Sequence, residues 1–218
     1  MVEQFDLVVF DWDGTLSDST AAIARAIQDA AADLGLPVPD DATASHVIGL
    51  GLHEALALAV PTLPTERVAE FSARYREHYF AREGQLVLFP GARELIAELR
   101  AAGLRLAIAT GKSQRGLQRA LAAAGLAAEF TASRCADQTH PKPHPAMLLE
   151  LTEELMVDPD RTLMIGDTTH DLQMAEAART AAVGLTQGAH PYEQLVACRS
   201  LALFDSLIAL HRWLLPGR

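Results

Sequence analysis

Three short apolar runs, each followed at once by polar residues capable of chemistry, constrain the fold of this 218-residue chain more than any other feature. The runs and their successors are Leu7-Val8-Val9-Phe10 with Asp11-Trp12-Asp13-Gly14-Thr15, Leu106-Ala107-Ile108-Ala109 with Thr110-Gly111-Lys112, and Leu163-Met164-Ile165 with Gly166-Asp167-Thr168-Thr169-His170-Asp171. Such runs are typical of strands buried on both faces of a parallel sheet. The carboxyl ends of these strands form the edge where open sheets bind ligands. The sequence therefore predicts one site that gathers several carboxylates and a hydroxyl group.

A fourth segment places Lys142 between Pro141 and Pro143. An isolated lysine is usually a solvated surface residue, so Lys142 is a candidate only in combination with the other three segments. At the same edge of the sheet, its ammonium group would balance part of the negative charge of the carboxylates. Lys142 is therefore a candidate site residue, and the flanking prolines limit the freedom of its backbone.

The order and spacing of the four segments resemble the motifs of the haloacid dehalogenase superfamily, whose members are mostly phosphatases. The resemblance covers nearly the whole chain and implies an α/β fold with a Rossmann-like parallel sheet core and an inserted all-α cap domain. Between the first two motifs, apolar residues recur at helical spacing over 19–34, 52–60 and 66–80. We therefore expect a core domain of residues 1–16 and 86–218 and a cap domain of residues 17–85.

Strands and helices alternate after Pro90-Gly91, which is typical of a parallel sheet with crossover helices. A strand-like stretch at 86–89 precedes this region. The later predicted strands are 105–109, 130–133, 162–165, 181–185 and 200–203. The predicted helices are 92–102, 114–124, 145–155, 171–179 and a last one that ends at Leu215.

The resemblance assigns Asp11 as the nucleophile, which would form an acyl phosphate that water readily cleaves. It assigns Asp13 as the acid that protonates the leaving oxygen and later accepts a proton from the attacking water. Thr110 and Lys142 would donate hydrogen bonds to the phosphoryl oxygens. We expect Thr15 to hold Asp13 by a hydrogen bond.

Four carboxylates would face a dianionic substrate, namely those of Asp11, Asp13, Asp167 and Asp171. Because like charges this close need a counterion, a hard divalent cation such as Mg²⁺ is expected. By resemblance, Asp11 and Asp167 would bind it directly, and Lys142 would offset their charge. Asp13 would contribute its backbone carbonyl, and Asp171 would bind directly or through water. Helix N-capping is the alternative role of Asp167 and Asp171.

The predicted cap contains Ile48-Gly49-Leu50-Gly51-Leu52, which resembles the substrate loop of the phosphoglycolate phosphatase branch; Gly188 lies in a second segment similar to that branch. The branch usually has an arginine shortly before the first glycine, whereas this chain has Ala44-Ser45-His46-Val47. We therefore expect a small phosphorylated metabolite as substrate, with phosphoglycolate as a candidate. The candidate substrate-binding residues are Thr15, His46, Gly49, Gly51 and Gly111.

Two other functions stay open at this point. A phosphosugar mutase of the β-phosphoglucomutase type shares all four motifs and differs in its cap residues. A non-catalytic phosphate-sensing or partner-binding protein could use the same scaffold, although such a protein is expected to lack Asp11 or Asp13. Dehalogenases of the superfamily lack an acid at the position of Asp13 and are therefore excluded.

The net charge of −10 argues against a nucleic-acid or membrane-surface protein. The only cysteines, Cys135 and Cys198, have no CxxC spacing, which indicates free thiols in a reducing compartment. Glu3 and Asp6 stand where a signal peptide would have basic residues, and no apolar run reaches the length of about 20 that a membrane span needs. We expect a cytoplasmic monomer or homodimer with no nucleic-acid or membrane partner.

Overall fold

The computed structural model describes residues 2–216, which form a six-stranded sheet surrounded by helices. The strands are β1 (Leu7–Phe10), β2 (Arg105–Thr110), β3 (Ala132–Cys135), β4 (Thr162–Gly166), β5 (Ala181–Leu185) and β6 (Ala202–Phe204). The helices are α1 (Thr20–Asp33), α2 (Asp41–His46), α3 (Leu52–Ala59), α4 (Val68–Glu83), α5 (Ala92–Ala101), α6 (Gln114–Ala124), α7 (Ala146–Glu154), α8 (Thr169–Ala178), α9 (Tyr192–Leu195) and α10 (Leu207–Leu214). All neighbouring strands are parallel, in the order β3-β2-β1-β4-β5-β6. The predicted α/β fold class is confirmed.

The central strand β1 is buried along its whole length, which explains its unbroken apolar sequence. Val8 and Phe10 belong to one apolar layer, and Leu7 and Val9 belong to the layer on the opposite face. Helices α5, α6 and α10 cover the first layer, and α7 and α8 cover the second, through Leu95, Leu117, Leu210, Met147 and Leu172. The sheet is thus enclosed on both sides and leaves its carboxyl edge for polar residues.

The register of the sheet brings the predicted motifs to that edge. Phe10 lies opposite Ile108 of β2 and Ile165 of β4, so the residues that follow these positions start at the same level. The backbone N–H of Asp11 extends the pairing by donating to the Ile165 carbonyl at 2.9 Å. The polar ends of the three strands are therefore neighbours.

Helices α1, α3 and α4 share an apolar cluster of their own, with Ile27, Leu56 and Phe71 among its buried members. All three lie between β1 and the rest of the sheet in sequence, as the helical spacing predicted. The division into a core of 1–16 and 86–218 and a cap of 17–85 stays a prediction. None of the helices in the described residues combines the length and apolar character that crossing a membrane requires.

Several predicted boundaries differ from the structure. Strand β3 begins two residues later than expected, because Phe130 precedes the strand and packs edge-on against Phe10, with ring centroids 6.4 Å apart. The stretch at 86–89 makes only an isolated bridge from Leu88 to Ser17 and is not a strand. Helices α2 and α9 are short and were not predicted. The predicted free thiols are confirmed for Cys135 and Cys198.

Candidate active site

Asp11 and Lys142 lie at the centre of the sheet edge and are both fully buried. The Lys142 Nζ atom is 2.9 Å from Asp11 Oδ1 and 2.6 Å from Asp171 Oδ1. Lys142 was expected to offset Asp11 and Asp167, so the structure corrects its second partner to Asp171. The reason is local, since Asp171 lies in the first turn of α8 and directs its Oδ1 atom at the Lys142 ammonium.

Burial controls the electrostatics of these groups. It raises the pKa of Asp11 to about 7, although the Lys142 ammonium opposes the shift. Burial also raises the pKa of Asp167, and the neighbouring charges of Asp11 and Asp171 add to this effect. Desolvation disfavours the charged form of Lys142, but the two carboxylates beside it outweigh that cost and raise its pKa. The raised pKa values of Asp11 and Asp167 mean that the single Lys142 ammonium does not fully compensate the charged forms of the carboxylates at this centre.

This centre has the composition of a site for a hard divalent cation. Carboxylate oxygens of Asp11, Asp167 and Asp171 lie within 4.8 Å of one another, and all three residues are buried. Apart from the Lys142 ammonium, no donor in the described part of the chain reaches either oxygen of Asp11. Such oxygens suit Mg²⁺, which prefers oxygen ligands and few protein carboxylates. The Asp13 carboxylate is not a member of this group, in keeping with the expectation that Asp13 contributes only its backbone carbonyl.

Asp167 is fixed by donors from two distant segments. Thr15 Oγ1 donates to Asp167 Oδ1 at 2.7 Å, and the backbone N–H of Ala189 donates to Asp167 Oδ2 at 2.7 Å. Thr15 was expected to hold Asp13, so this hydrogen bond corrects its role. A Cβ atom at either Gly14 or Gly188 would lie 2.1 Å from Asp167 Oδ2, so only glycine leaves room for the carboxylate there.

Asp171 caps a helix, which the sequence analysis gave as the alternative to metal binding, and it also contacts Lys142. Its Oδ2 atom accepts hydrogen bonds from the backbone N–H and the hydroxyl group of Thr168, at 3.1 and 2.7 Å, and closes a capping box at the start of α8. Its Oδ1 atom meets the Lys142 ammonium. Helix capping therefore orients Asp171 and leaves one oxygen directed at the site.

Asp13 is held by residues that sequence reasoning did not assign. Ser19 Oγ donates to Asp13 Oδ1 at 2.6 Å, and the Lys112 Nζ atom lies 2.9 and 3.0 Å from the two carboxylate oxygens. Lys112 also donates to the Tyr79 hydroxyl of α4 at 2.9 Å. Desolvation opposes the charge of Lys112, but the negative charge of Asp13 more than compensates and raises the lysine pKa. The sequence signal that could have placed Lys112 beside Asp13 is its spacing. Lys112 follows Thr110 by two residues, just as Asp13 follows Asp11 at the end of the neighbouring strand.

Thr110 and Gly111 lie where β2 ends, beside the loop before α3. Thr110 is buried, and its hydroxyl accepts a hydrogen bond of 3.3 Å from the backbone N–H of Lys112. A Cβ atom on Gly111 would lie 2.3 Å from the carbonyl oxygen of Leu50 and 2.7 Å from that of Gly49. The glycine at 111 therefore permits the 49–50 backbone to approach the end of the sheet closely.

The remaining cap candidates differ in whether they line the cavity beside Asp13. They are Gly49, Gly51 and His46. Gly49, at a φ of +92°, lines the cavity described below, but neither Gly51 nor His46 does. The His46 ring is exposed and stacks on His190 at a centroid distance of 4.7 Å. Its carbonyl oxygen accepts hydrogen bonds from the Nε2 atoms of His170 and His190, each at 2.9 Å. The structure thus gives the His46 backbone a role in fastening the loop, and a substrate contact by its ring stays a prediction.

A cavity of about 600 Å³ opens beside Asp13, between α4 and α6. Helices α1 and α3 supply apolar lining residues, and α4 and α6 supply aromatic and basic ones. The basic residues are Arg76, Lys112, Arg115 and Arg119. The cavity therefore joins Asp13, the acid expected to protonate the leaving oxygen, to a positively charged region.

Comparisons with known proteins agree with this geometry. The sequence profile of the haloacid dehalogenase-like hydrolases matches residues 8–185. The chain is 40% identical to "Probable phosphatase IndB" of Dickeya dadantii, over 92% of this chain and 89% of that protein. It is 36% identical to a phosphoglycolate phosphatase of Yersinia pseudotuberculosis, over 83% and 81% of the two chains. A crystal structure described as a predicted phosphoglycolate phosphatase from Haemophilus somnus superposes with a TM-score of 0.85 at 27% identity, covering 96% of this chain and 98% of the other.

Proposed function

The chain belongs to the haloacid dehalogenase-like hydrolase family and is a phosphatase, and from that premise we propose that it hydrolyses a small phosphomonoester with Mg²⁺ through a phosphoryl intermediate on Asp11. The state of the Asp11 carboxylate is the observation that carries the proposal. It is buried at the carboxyl edge of the sheet, and Lys142 is its one charged partner among residues 2–216. A carboxylate so free of other donors is available to attack phosphorus.

The first step would transfer the phosphoryl group to the protein. An Asp11 oxygen bonds to phosphorus, the bond from phosphorus to the leaving oxygen breaks, and Asp13 gives that oxygen a proton. In the second step Asp13 accepts a proton from water, the water oxygen bonds to phosphorus, and the bond to Asp11 breaks. The products are an alcohol and inorganic phosphate. Because Ser19 and Lys112 both hold Asp13, its carboxylate would keep one orientation through both steps.

The charges of the site would be matched by fixed groups. Lys142 and Thr110 would donate to the phosphoryl oxygens, on which negative charge must be stabilised as the bonds exchange. Asp11, Asp167 and Asp171 would hold Mg²⁺, with Asp13 adding its backbone carbonyl. The bound ion would supply positive charge to the phosphoryl oxygens and relieve the repulsion among the carboxylates. Thr15 and Ala189 would act on Asp167 and keep that ligand in place.

Phosphoglycolate is a candidate substrate because relatives such as the Yersinia protein are named for it. Thr15, Gly49, Gly51, Gly111 and His46 stay predictions as substrate-binding residues, and the structure favours Gly49 and Gly111 among them because both lie at the cavity. The predicted cap of residues 17–85 would cover the site and decide specificity. A cytoplasmic location, a monomer or homodimer and the lack of nucleic-acid or membrane partners also stay predictions.

The proposal is tested by replacing the nucleophile. Asp11→Asn is nearly isosteric, so the fold should be kept while hydrolysis of p-nitrophenyl phosphate with Mg²⁺ falls by at least about a thousandfold. Circular dichroism of the variant controls for folding, and residual turnover within tenfold of wild type would refute the phosphoryl intermediate. Chelation of the metal should stop the wild-type reaction, and added Mg²⁺ should restore it.

Product analysis separates the alternatives. A phosphatase releases one inorganic phosphate for each ester consumed, whereas a mutase returns an isomeric phosphosugar and releases little phosphate. A phosphate-sensing protein would bind the ester and leave it intact.

A further inference from the structure

The cavity beside Asp13 has a charge opposite to that of the chain as a whole. The chain has a net charge of −10, yet the cavity is lined by four basic residues and by Asp13 as its one acidic residue within the described chain. Lys112 is already paired with Asp13, and Arg119 is 3.4 Å from Glu83. Fixed positive charge in a cleft concentrates anions there. The cavity is therefore suited to an anion beyond the one that the catalytic residues bind.

Two arginines of the cavity remain available for such an anion. Arg76 and Arg115 are exposed, and within residues 2–216 neither forms an ion pair or a side-chain hydrogen bond. They line the cavity from two different helices, Arg76 from α4 and Arg115 from the first turn of α6. A guanidinium group suits planar anions because it offers two parallel hydrogen bonds.

The cavity also has many apolar lining residues. Its lining includes Ile23, Ile27, Leu52, Ala55 and Phe80 beside Asp13 and the arginines. The Phe80 ring also contacts Arg119, whose guanidinium carbon lies 4.3 Å from the ring centroid. A volume of about 600 Å³ falls in the range of roughly 300–1,000 Å³ typical of pockets that enclose drug-sized ligands. A leaving group of two carbons would leave most of this apolar surface uncovered.

We propose that the cavity binds the leaving group of a phosphomonoester that has an apolar body wide enough for a ring and a second anionic group at its far end, held by Arg76 and Arg115. The proposal rests on the proposed function, since it places the phosphate at Asp11 and the ester oxygen beside Asp13. It names the substrate class as a bis-anionic ester larger than phosphoglycolate. It also assigns anion recognition to the facing helices α4 and α6 in place of the loop that contains His46.

Binding of non-hydrolysable phosphonates tests this assignment without relying on turnover. The probes are benzylphosphonate, 4-carboxybenzylphosphonate and 4-carbamoylbenzylphosphonate, the last matching the carboxylate in shape but not in charge. Titration calorimetry with the full-length protein and Mg²⁺ should show about tenfold tighter binding of the carboxylate than of the carboxamide. The double variant R76Q/R115Q should lose this preference and bind benzylphosphonate within twofold of wild type.

A matched control is available on the same helix. Arg74 is exposed on α4 and pairs with Glu77 outside the cavity, so Arg74→Gln should keep the preference for the carboxylate. Equal affinity of wild type for carboxylate and carboxamide would overturn the proposal. An equal loss of affinity for all three probes in the double variant would also overturn it, because the arginines would then attract the phosphonate group in general. The absence of binding by any probe would overturn it as well.

Turnover separates this inference from the proposed function. If the carboxylate probe binds preferentially but 4-carboxybenzyl phosphate is not hydrolysed, the anion site stands and the proposed function fails. If esters are hydrolysed but the probes show no preference, the function stands and the anion site is refuted.

Discussion

At the scale of single residues, the site depends on pairs of charges that hold each other in place. The Asp13 carboxylate accepts a hydrogen bond from Ser19, and the Lys112 ammonium contacts both of its oxygens. The side chain of Lys112 is only 10% exposed. Removing one partner from a buried pair leaves the other uncompensated and free to move. The orientation of the proposed acid therefore depends on a lysine that has no assigned role in the reaction.

Replacing this lysine should reduce the rate more than substrate binding. We expect Lys112→Met to lower kcat for p-nitrophenyl phosphate by about 10- to 100-fold, a part of the 10²–10⁴-fold that acid–base catalysis contributes. Lys112→Arg keeps the charge and should recover part of the lost kcat, which a purely structural role would not predict. Steady-state kinetics and thermal melting of both variants provide the check. A Lys112→Met enzyme with kcat within twofold of wild type would contradict the positioning role.

The partners of individual residues were the part of the site that sequence could predict least. The meeting of Asp11, Asp167 and Asp171 followed from strand ends, because parallel strands in register bring those ends together. Lys142 follows no strand, and its place beside them was expected from the family resemblance. Thr15 was assigned to Asp13, but its hydroxyl reaches Asp167, 152 positions away in sequence. Such pairings depend on where the loops lie above the sheet, and the positions of the loops cannot be predicted from local sequence.

At the scale of elements, the regular parts of the fold were predictable and the irregular ones were not. Strand β5 and helix α6 match their predicted bounds because each has a clear apolar pattern, and Gly125 also ends the helix. Helix α2 has six residues and one buried side chain, which is too little for periodicity to reveal. Its one local signal is Asp40, which caps the helix by accepting from the Thr43 N–H at 2.8 Å.

The contact between the loop before α3 and the end of β2 is the element-level feature most open to test. A Cβ atom at Gly111 would meet the Leu50 carbonyl at 2.3 Å, so Gly111→Ala must push the 49–50 backbone away from the site. We expect kcat/KM for p-nitrophenyl phosphate to fall by about tenfold or more, as misplacement of an active-site segment does. Gly84→Ala is the control, since that glycine has a φ of −67° and open space around it. A Gly111→Ala enzyme as active as the Gly84→Ala enzyme would show that this close approach is dispensable.

At the scale of the whole molecule, the buried carboxylates join catalysis to stability. Asp11, Asp167 and Asp171 come from segments far apart in the chain, and only Asp11 and Asp171 contact the Lys142 ammonium, so folding must bring repelling charges together. A cation that binds only the folded protein offsets that repulsion and stabilises the fold by mass action. The proposed metal site should therefore be visible in the unfolding of the protein as well as in its activity.

Thermal melting in chelator and in Mg²⁺ measures this coupling directly. With Mg²⁺ at a hundred times its dissociation constant the gain is about 2.7 kcal/mol, which corresponds to a rise in Tm of roughly 5–10 °C for a chain of this size. Asp167→Asn removes one ligand and one repelling charge, so its Tm should respond little to Mg²⁺ while its Tm in chelator equals or exceeds that of wild type. Asp205→Asn, on the exposed segment between β6 and α10, controls for general effects of lost charge and should keep the full response. An equal response of wild type and Asp167→Asn would place the stabilising ion elsewhere and refute the assignment of Asp167 as a ligand.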